Sequence, residues 1–458
     1  MLVDAPGAHR DPSPTLADRA GLGNKAVPRS TRFGPLFLLL GWIGFTLLMF
    51  AGGPYEYELA HPARLWLFLV AVNIGLVAGY ARGCRSTGRG YRGAWRTVRL
   101  TKAIIGVVAL MKLVELIATG GGDVARVAMV FRDPTAVYTS SSVMSAPGLF
   151  SYISIGEAPL SALGIALGVY YWRLLSPATR AGLLLVVGLV VLGALGAAVR
   201  GSLVFLAVFA GSGVAAAYSS GLVKITRRRK ALVLVSAAVL VIAFLSYFSY
   251  LAENRAGIDT DVMYNPVTMM RPDMESRFYQ VLPEAWHLSG TVIAFYASHA
   301  YYRLGQTMEL PFEGSGFGAG HSIFLVRNVA RLAALPEFED RSYGYRLDRV
   351  TNDGTVGRFW VTFYAWAASD VTFPGVVVVV FIIGYLLSLA WADILFRSNP
   401  LAVPAFAALF FIVYSFPLTN PLQDGPGLAT FGGIPLLWLI TRASQSTREE
   451  GGIVAAAG

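Results

Sequence analysis

Lys112 and Glu115 stand three residues apart in the apolar stretch ALMKLVELIA (109–118). On a helix that spacing is nearly one turn and puts both side chains on one face, where they can pair. Ionisable groups in hydrocarbon are costly, so such a pair marks either a functional site or a neutralised packing contact. Glu157 opens a further apolar stretch two residues before Pro159. It reads either as an interfacial carboxylate or as a base at membrane depth. Arg200 lies in the turn AAVRGS between two apolar runs. Its planar guanidinium matches phosphate oxygens, and Gly201 leaves room for a ligand to approach. The bland alternative is an Arg snorkelling to lipid headgroups.

A long polar segment, 252–373, carries ten Arg and no Lys. Arg255, Arg271, Arg277, Arg303, Arg327, Arg331 and Arg358 lie in it, with His287, His299 and His321. Most of these arginines are expected to be solvated or paired with loop acids. The run SHAYYR sets His299, Tyr301, Tyr302 and Arg303 together at the end of an apolar stretch. Aromatic and cationic groups side by side suit a sugar joined to a phosphate, although Tyr also collects at membrane interfaces for no functional reason.

These residues need elements to hold them. The chain has 458 residues, is 55% hydrophobic and only 14% charged, well below the charge content of a soluble domain. Its apolar runs fall at roughly 35–52, 64–82, 102–119, 149–172, 180–199, 201–221, 231–250, 374–395, 401–418 and 427–441, each near the length that crosses a bilayer. The expected fold is an all-α polytopic membrane protein of about ten transmembrane helices. Residues 1–33 form a disordered cytoplasmic tail without a cleavable signal peptide. A seven-helix region (34–251), a large outer loop (252–373), a three-helix region (374–441) and a cytoplasmic tail (442–458) follow. The net charge of +10 gathers in short loops. Arg82 to Lys102, Arg173 and Arg180, Lys224 to Lys230, Arg397 and Arg442 all fall on one side of this layout, which the loop-charge rule makes cytoplasmic. That pattern excludes nucleic acid as the reason for the basic balance. Within the outer loop, 288–304 and 356–369 are apolar but short, and read as interfacial or re-entrant helices. The single cysteine, Cys84, excludes an internal disulfide framework. Lys112, Glu115 and Glu157 predict a polar cavity among the third to sixth spans, open to the outer leaflet and capped by the large loop.

Templates for metal, nucleotide and acyl-transfer chemistry are missing: there is no HExxH, paired CxxC, DxD, P-loop or GxSxG. The glycines of GSGFGAGHS (314–322) follow no βαβ pattern and read as a flexible loop. The layout, VRGSLVFLAVF (199–209) and GRFWVTFYAWAASDVTFPGVVVVVFIIGYLL (357–387) together resemble the Wzy-type O-antigen polymerases, the oligosaccharide repeat-unit polymerases of the O-antigen ligase-like superfamily. The second segment is similar to the family's Asp-then-Gly helix, with Asp370, Gly375 and Gly384. Where the family often has an aromatic and a Gly just after the Asp, this chain has Val371, Thr372, Phe373 and Pro374.

The resemblance implies a cell-envelope glycosyltransferase of polysaccharide biosynthesis in the cytoplasmic (inner) membrane, with both termini cytoplasmic. It would polymerise repeat units carried on a polyprenyl diphosphate of the undecaprenyl type, at the outer face, without a cofactor or metal. Arg200, Arg255, Arg303 and Arg358, with Lys112, Tyr301 and Tyr302, would then bind the diphosphate and glycan. Glu157, Glu115, Asp370 and His299 are the candidate catalytic groups. The partners would be the lipid-linked oligosaccharide, membrane lipids and other polysaccharide-assembly proteins. A ligase-like transfer to another acceptor, for which His299 or His321 would serve, and a transporter or flippase of a lipid-linked or small substrate, are the competing readings.

The topology is testable by labelling introduced cysteines with a membrane-impermeant reagent. Positions in 311–313 should label from outside and a position at Arg228 should not. Outside labelling at Arg228 would overturn the orientation.

Overall fold

The computed structural model describes residues 27–85, 94–118, 122–133, 136–137, 149–196, 201–223, 226–255, 271–351, 360–397 and 399–443. These residues are helical with connecting turns, and none is in a strand. Six helices among them are long and apolar enough to cross a membrane, as a multi-pass membrane protein requires. These are α1 (Arg29–Gly52), α2 (Pro62–Gly83), α5 (Leu149–Tyr170), α6 (Pro177–Gly196), α7 (Gly201–Ser219) and α12 (Phe363–Ala392). The other four apolar runs are also helical. They are α3 (Ala94–Ala118), which carries Lys112 and Glu115, α8 (Arg227–Arg255), the short α13 (Ala402–Ser415), and 425–443.

The closest helix pair is α2 against α12. Gly75, Gly79 and Gly83 recur every four residues along one face of α2. A Cβ at Gly79 would lie 2.0 Å from the Phe381 carbonyl oxygen, and one at Gly83 would lie 2.5 Å from that of Tyr385. From the other side, a Cβ at Gly384 would lie 2.6 Å from the Leu76 carbonyl oxygen. The two backbones therefore touch, which is how helices gain packing energy where burial from water does not drive association.

The apolar stretch expected at 288–304 is longer in the structure, forming α9 (His287–Met308). It packs at the loop end of the α1–α2 hairpin. The Tyr301 hydroxyl is 3.0 Å from that of Thr46, Tyr57 bonds Ser298 at 2.7 Å, and Gly305 meets Leu59. Thr291, Ser298, His299 and Arg303 are buried in this helix, and these polar groups keep it apart from the six apolar spans. Beyond it come α10 (Ile323–Leu332) and α11 (Tyr343–Thr351).

The second short segment differs more. Residues 363–369 of the helix expected at 356–369 and the span expected from 374 are joined in α12, which is interrupted once, at Thr372 (φ 62°, ψ 167°); residues 356–359 lie outside the described residues. Pro374 explains the break. It has no N–H for the carbonyl of Asp370 four residues earlier, and its ring would collide with that carbonyl. Thr372 takes up the change in direction in a backbone region nearly reserved for glycine, at a cost of about 1–3 kcal/mol. At the other end of α12, buried Asp393 accepts from Arg442 Nε at 3.0 Å and Trp438 Nε1 at 3.2 Å, and lies 3.4 Å from Arg397 Nε. Arg442, a basic residue of the expected inner face, and Trp438 thus tie the last helix to the end of α12.

Gly79→Leu should drive α2 and α12 apart. Overpacking of this kind costs about 1–3 kcal/mol or more. The variant is expected to melt lower in detergent than the wild type, while Gly188→Leu, at a glycine with no neighbour within 4 Å of its Cβ position, should be neutral.

Candidate functional site

Ending the first part of α12 at Thr372 leaves its last carbonyls without helical partners. The loop 314–321 supplies them. Gly316 N–H donates to the Ser369 carbonyl at 3.0 Å, and Ser315 Oγ donates to the Asp370 carbonyl at 2.8 Å. The same loop wraps the Asp370 side chain. Oδ1 accepts the N–H groups of Gly318 and Gly320, each at 2.9 Å. Oδ2 accepts the His321 N–H at 3.0 Å and His321 Nδ1 at 2.9 Å. A carboxylate at a helix C-terminus opposes the dipole, and converging N–H groups offset this by forming an anion nest.

The glycines are needed for this wrapping. Gly318 has φ +83°. A Cβ at Gly320 would lie 2.9 Å from Ser369 Cβ and 3.0 Å from Asp370 Oδ1. The stretch expected as a flexible loop is thus a fixed cradle. It is also clamped from outside, because Arg341 donates to the Ser315 carbonyl at 3.2 Å and lies over the rings of Phe317 and Phe338. Arg346 bonds the Pro311 carbonyl and sits 3.7 Å from Glu313.

The chemistry this leaves belongs to His321. An ionised carboxylate only accepts, so the bond to Asp370 places a proton on Nδ1, and in the neutral imidazole this leaves the lone pair on Nε2. No hydrogen bond to Nε2 forms among the described residues, and the side chain is 21% exposed. Asp370 already accepts two bonds on each oxygen, so it orients the imidazole, as the carboxylate does in a catalytic triad. Asn420 Nδ2 bonds the His321 carbonyl, and both Ser322 Oγ (3.1 Å) and Phe324 N–H (2.9 Å) donate to the Gln423 carbonyl. The turn before the last helix therefore holds the His321 end of the cradle.

The second polar cluster lies between α3 and α5. Lys112 Nζ is 2.9 Å from Glu115 Oε2 and 3.5 Å from Glu157 Oε2, and Ser161 Oγ donates to Glu157. The pairing expected for Lys112 and Glu115 is present, and Glu157 joins it. Lys112 and Glu157 are sheltered at 19% and 14% exposure, while Glu115 is 49% exposed. Two cavities among the described residues are lined by other residues, one along the apolar face of α2 and one beside α10.

The SHAYYR residues are structural neighbours within α9. Tyr301 is fully buried against α1, and Tyr302 stacks on Tyr57 with ring centroids 5.1 Å apart. His299, 8% exposed, stacks on Phe295 at 4.7 Å. Arg303, 3% exposed, donates to Gln306 and Thr351. Helical geometry turns Tyr301 away from Tyr302 and so divides the expected group between two packing surfaces. Arg200 and Arg358 lie outside the described residues. Arg255 ends α8, and its side chain lies outside them too. Among the described residues no three His, Cys, Asp or Glu side chains are grouped to hold a metal.

Gly320→Ala should press its methyl into Ser369 and the Asp370 carboxylate and loosen the cradle. Limited proteolysis should then cut within 311–322 faster than in the wild type, whereas Gly201→Ala, which meets nothing within 4 Å, should leave the rate unchanged. Comparison with family models, curated proteins and solved structures returned no match.

Proposed function

We propose that this protein is a membrane glycosyltransferase that polymerises polyprenyl-diphosphate-linked oligosaccharide repeat units at the outer face of the cytoplasmic membrane, with His321 as its base. The observation that carries the reading is the His321–Asp370 pair, an imidazole oriented for proton uptake at the break of an apolar helix. Its Nε2 takes the proton from a hydroxyl of the acceptor sugar. The freed oxygen attacks the anomeric carbon of the donor, the bond from that carbon to the diphosphate oxygen breaks, and polyprenyl diphosphate leaves with the electron pair. The charge developing on the leaving group needs fixed cations, a role that falls to Arg200, Arg255 and Arg358. The Lys112–Glu115–Glu157 cluster supplies a further cation and two carboxylates within the helical region. The resemblance in 199–209 and 357–387 supports the same class, since it includes both Arg200 and Asp370.

A ligase-like transfer to a different acceptor is the second reading, favoured by the same histidine, because ligases of this superfamily pair outer-loop arginines with a histidine. The acceptor that accumulates unmodified in a deletion strain separates the two.

The test is glycan chain length on a gel in a complemented deletion strain, with membrane expression as control. His321→Ala should lose visible polymer at normal expression, since general-base catalysis contributes about 10²–10⁴ in rate. Arg200→Ala should do the same through the loss of about 3–4 kcal/mol of transition-state stabilisation, and Arg200→Lys should not restore full activity. Long chains from His321→Ala at normal expression would remove the histidine from the mechanism.

A further inference from the structure

Directly after His321 the chain enters α10, and one face of this helix forms the wall of a cavity of about 340 Å³. Ile323, Phe324 and Arg327 line it from α10, and Gln423, Asp424 and Gly425 line it from the turn opposite. Both walls are bound to the site. The Gln423 carbonyl accepts from Ser322 and Phe324, and Asn420 holds the His321 carbonyl. Gly425 fits between Phe324 and Ile155 of α5, two residues from Glu157; a Cβ there would lie 2.9 Å from Ile155 Cδ1. The cavity therefore lies between α10, which follows His321, and a turn that packs on the helix carrying Glu157.

Among the described residues its polar groups retain bonding capacity. There Arg327 bonds through Nε, to the Tyr345 hydroxyl at 2.9 Å. Asp424 accepts the Gly427 N–H at 2.6 Å through Oδ1, and no bond to its Oδ2 forms among those residues. The Gln423 side-chain amide has no partner among the described residues. A guanidinium, a carboxylate and an amide at the rim can bond pairs of neighbouring hydroxyls, and Phe324 and Ile323 offer an apolar surface for a C–H face. The volume is at the small end of the roughly 300–1,000 Å³ usual for small-molecule sites, which suits a single ring. One guanidinium and one carboxylate in the lining offset each other in charge, which suits a neutral ligand.

We propose that this cavity binds one neutral pyranose ring, the acceptor sugar whose hydroxyl is presented to His321. The assignment rests on the glycosyltransferase reading for the sugar's role, but binding can be measured without turnover. Full-length protein in deuterated detergent would be examined by saturation-transfer NMR. The probes are D-glucose, D-galactose, D-mannose and N-acetyl-D-glucosamine, with D-glucuronate as the anionic control. At least one neutral sugar should receive saturation on its ring protons. The signal should imply about tenfold weaker binding in Asp424→Asn and in Gln423→Ala, as the loss of one hydrogen bond to a charged or buried group predicts. Asp424→Asn keeps the oxygen that accepts from Gly427, so its fold is preserved. His321→Ala should still bind. Saturation transfer to none of the neutral sugars, preference for glucuronate, or signals as strong as the wild type's in both rim variants would overturn the proposal. Sugar binding of the expected pattern in a protein without transfer activity would sink the glycosyltransferase reading while leaving the cavity assigned. Transfer that depends on His321 without sugar binding here would do the reverse.

Discussion

Four hydrogen bonds converge on the Asp370 carboxylate, and the polar half of the molecule is organised around them. They exist because α12 cannot continue through Pro374. The missing N–H frees the Asp370 carbonyl, the chain turns at Thr372, and both the side chain and the backbone of residues 369–370 need partners. The alternating glycines of 314–320 are the segment that can come close enough to provide them. Burying an unpaired carboxylate would cost several kcal/mol. The loop and the helix break therefore stabilise each other.

That junction needs a rigid support, which the α2–α12 contact provides. Backbone-to-backbone contact along Gly75, Gly79, Gly83 and Gly384 leaves little freedom for α12 to slide or rotate. The tie from Asp393 to Arg397, Arg442 and Trp438 then fixes its far end. With both ends held, the strain at Thr372 is sustained by its surroundings, as an unfavourable backbone conformation requires.

The arginines divide by what they touch. Arg341 and Arg346 hold the cradle through backbone carbonyls, Arg303 is buried and donates to Gln306 and Thr351, and Arg349 pairs with Asp340 and lies 3.6 Å from Glu339. Arg346 and Arg349 both lie beside loop acids. Arg327 differs in presenting its terminal nitrogens at a cavity rim. An arginine-rich loop thus spends much of its charge on its own architecture, because a guanidinium can satisfy several carbonyls at once.

The apolar runs alone determined that the chain is helical, with segments long and apolar enough to cross a membrane, because in hydrocarbon the backbone must satisfy itself within each segment. The same local logic made the Lys112–Glu115 pair legible, since helical spacing sets i,i+3 contacts without reference to the rest of the fold. Pro374 and the glycines of α2 were visible in the chain as well. Their partners, however, lie more than fifty residues away in one case and some three hundred in the other, so their meaning was not. Only tertiary structure decided that GSGFGAGHS closes on Asp370, that Glu157 joins Lys112, and that the SHAYYR residues face different neighbours. Asp370 and His321 are 49 residues apart. Nothing in local periodicity encodes such a meeting, which depends on how the helix break and the loop satisfy each other's unpaired groups.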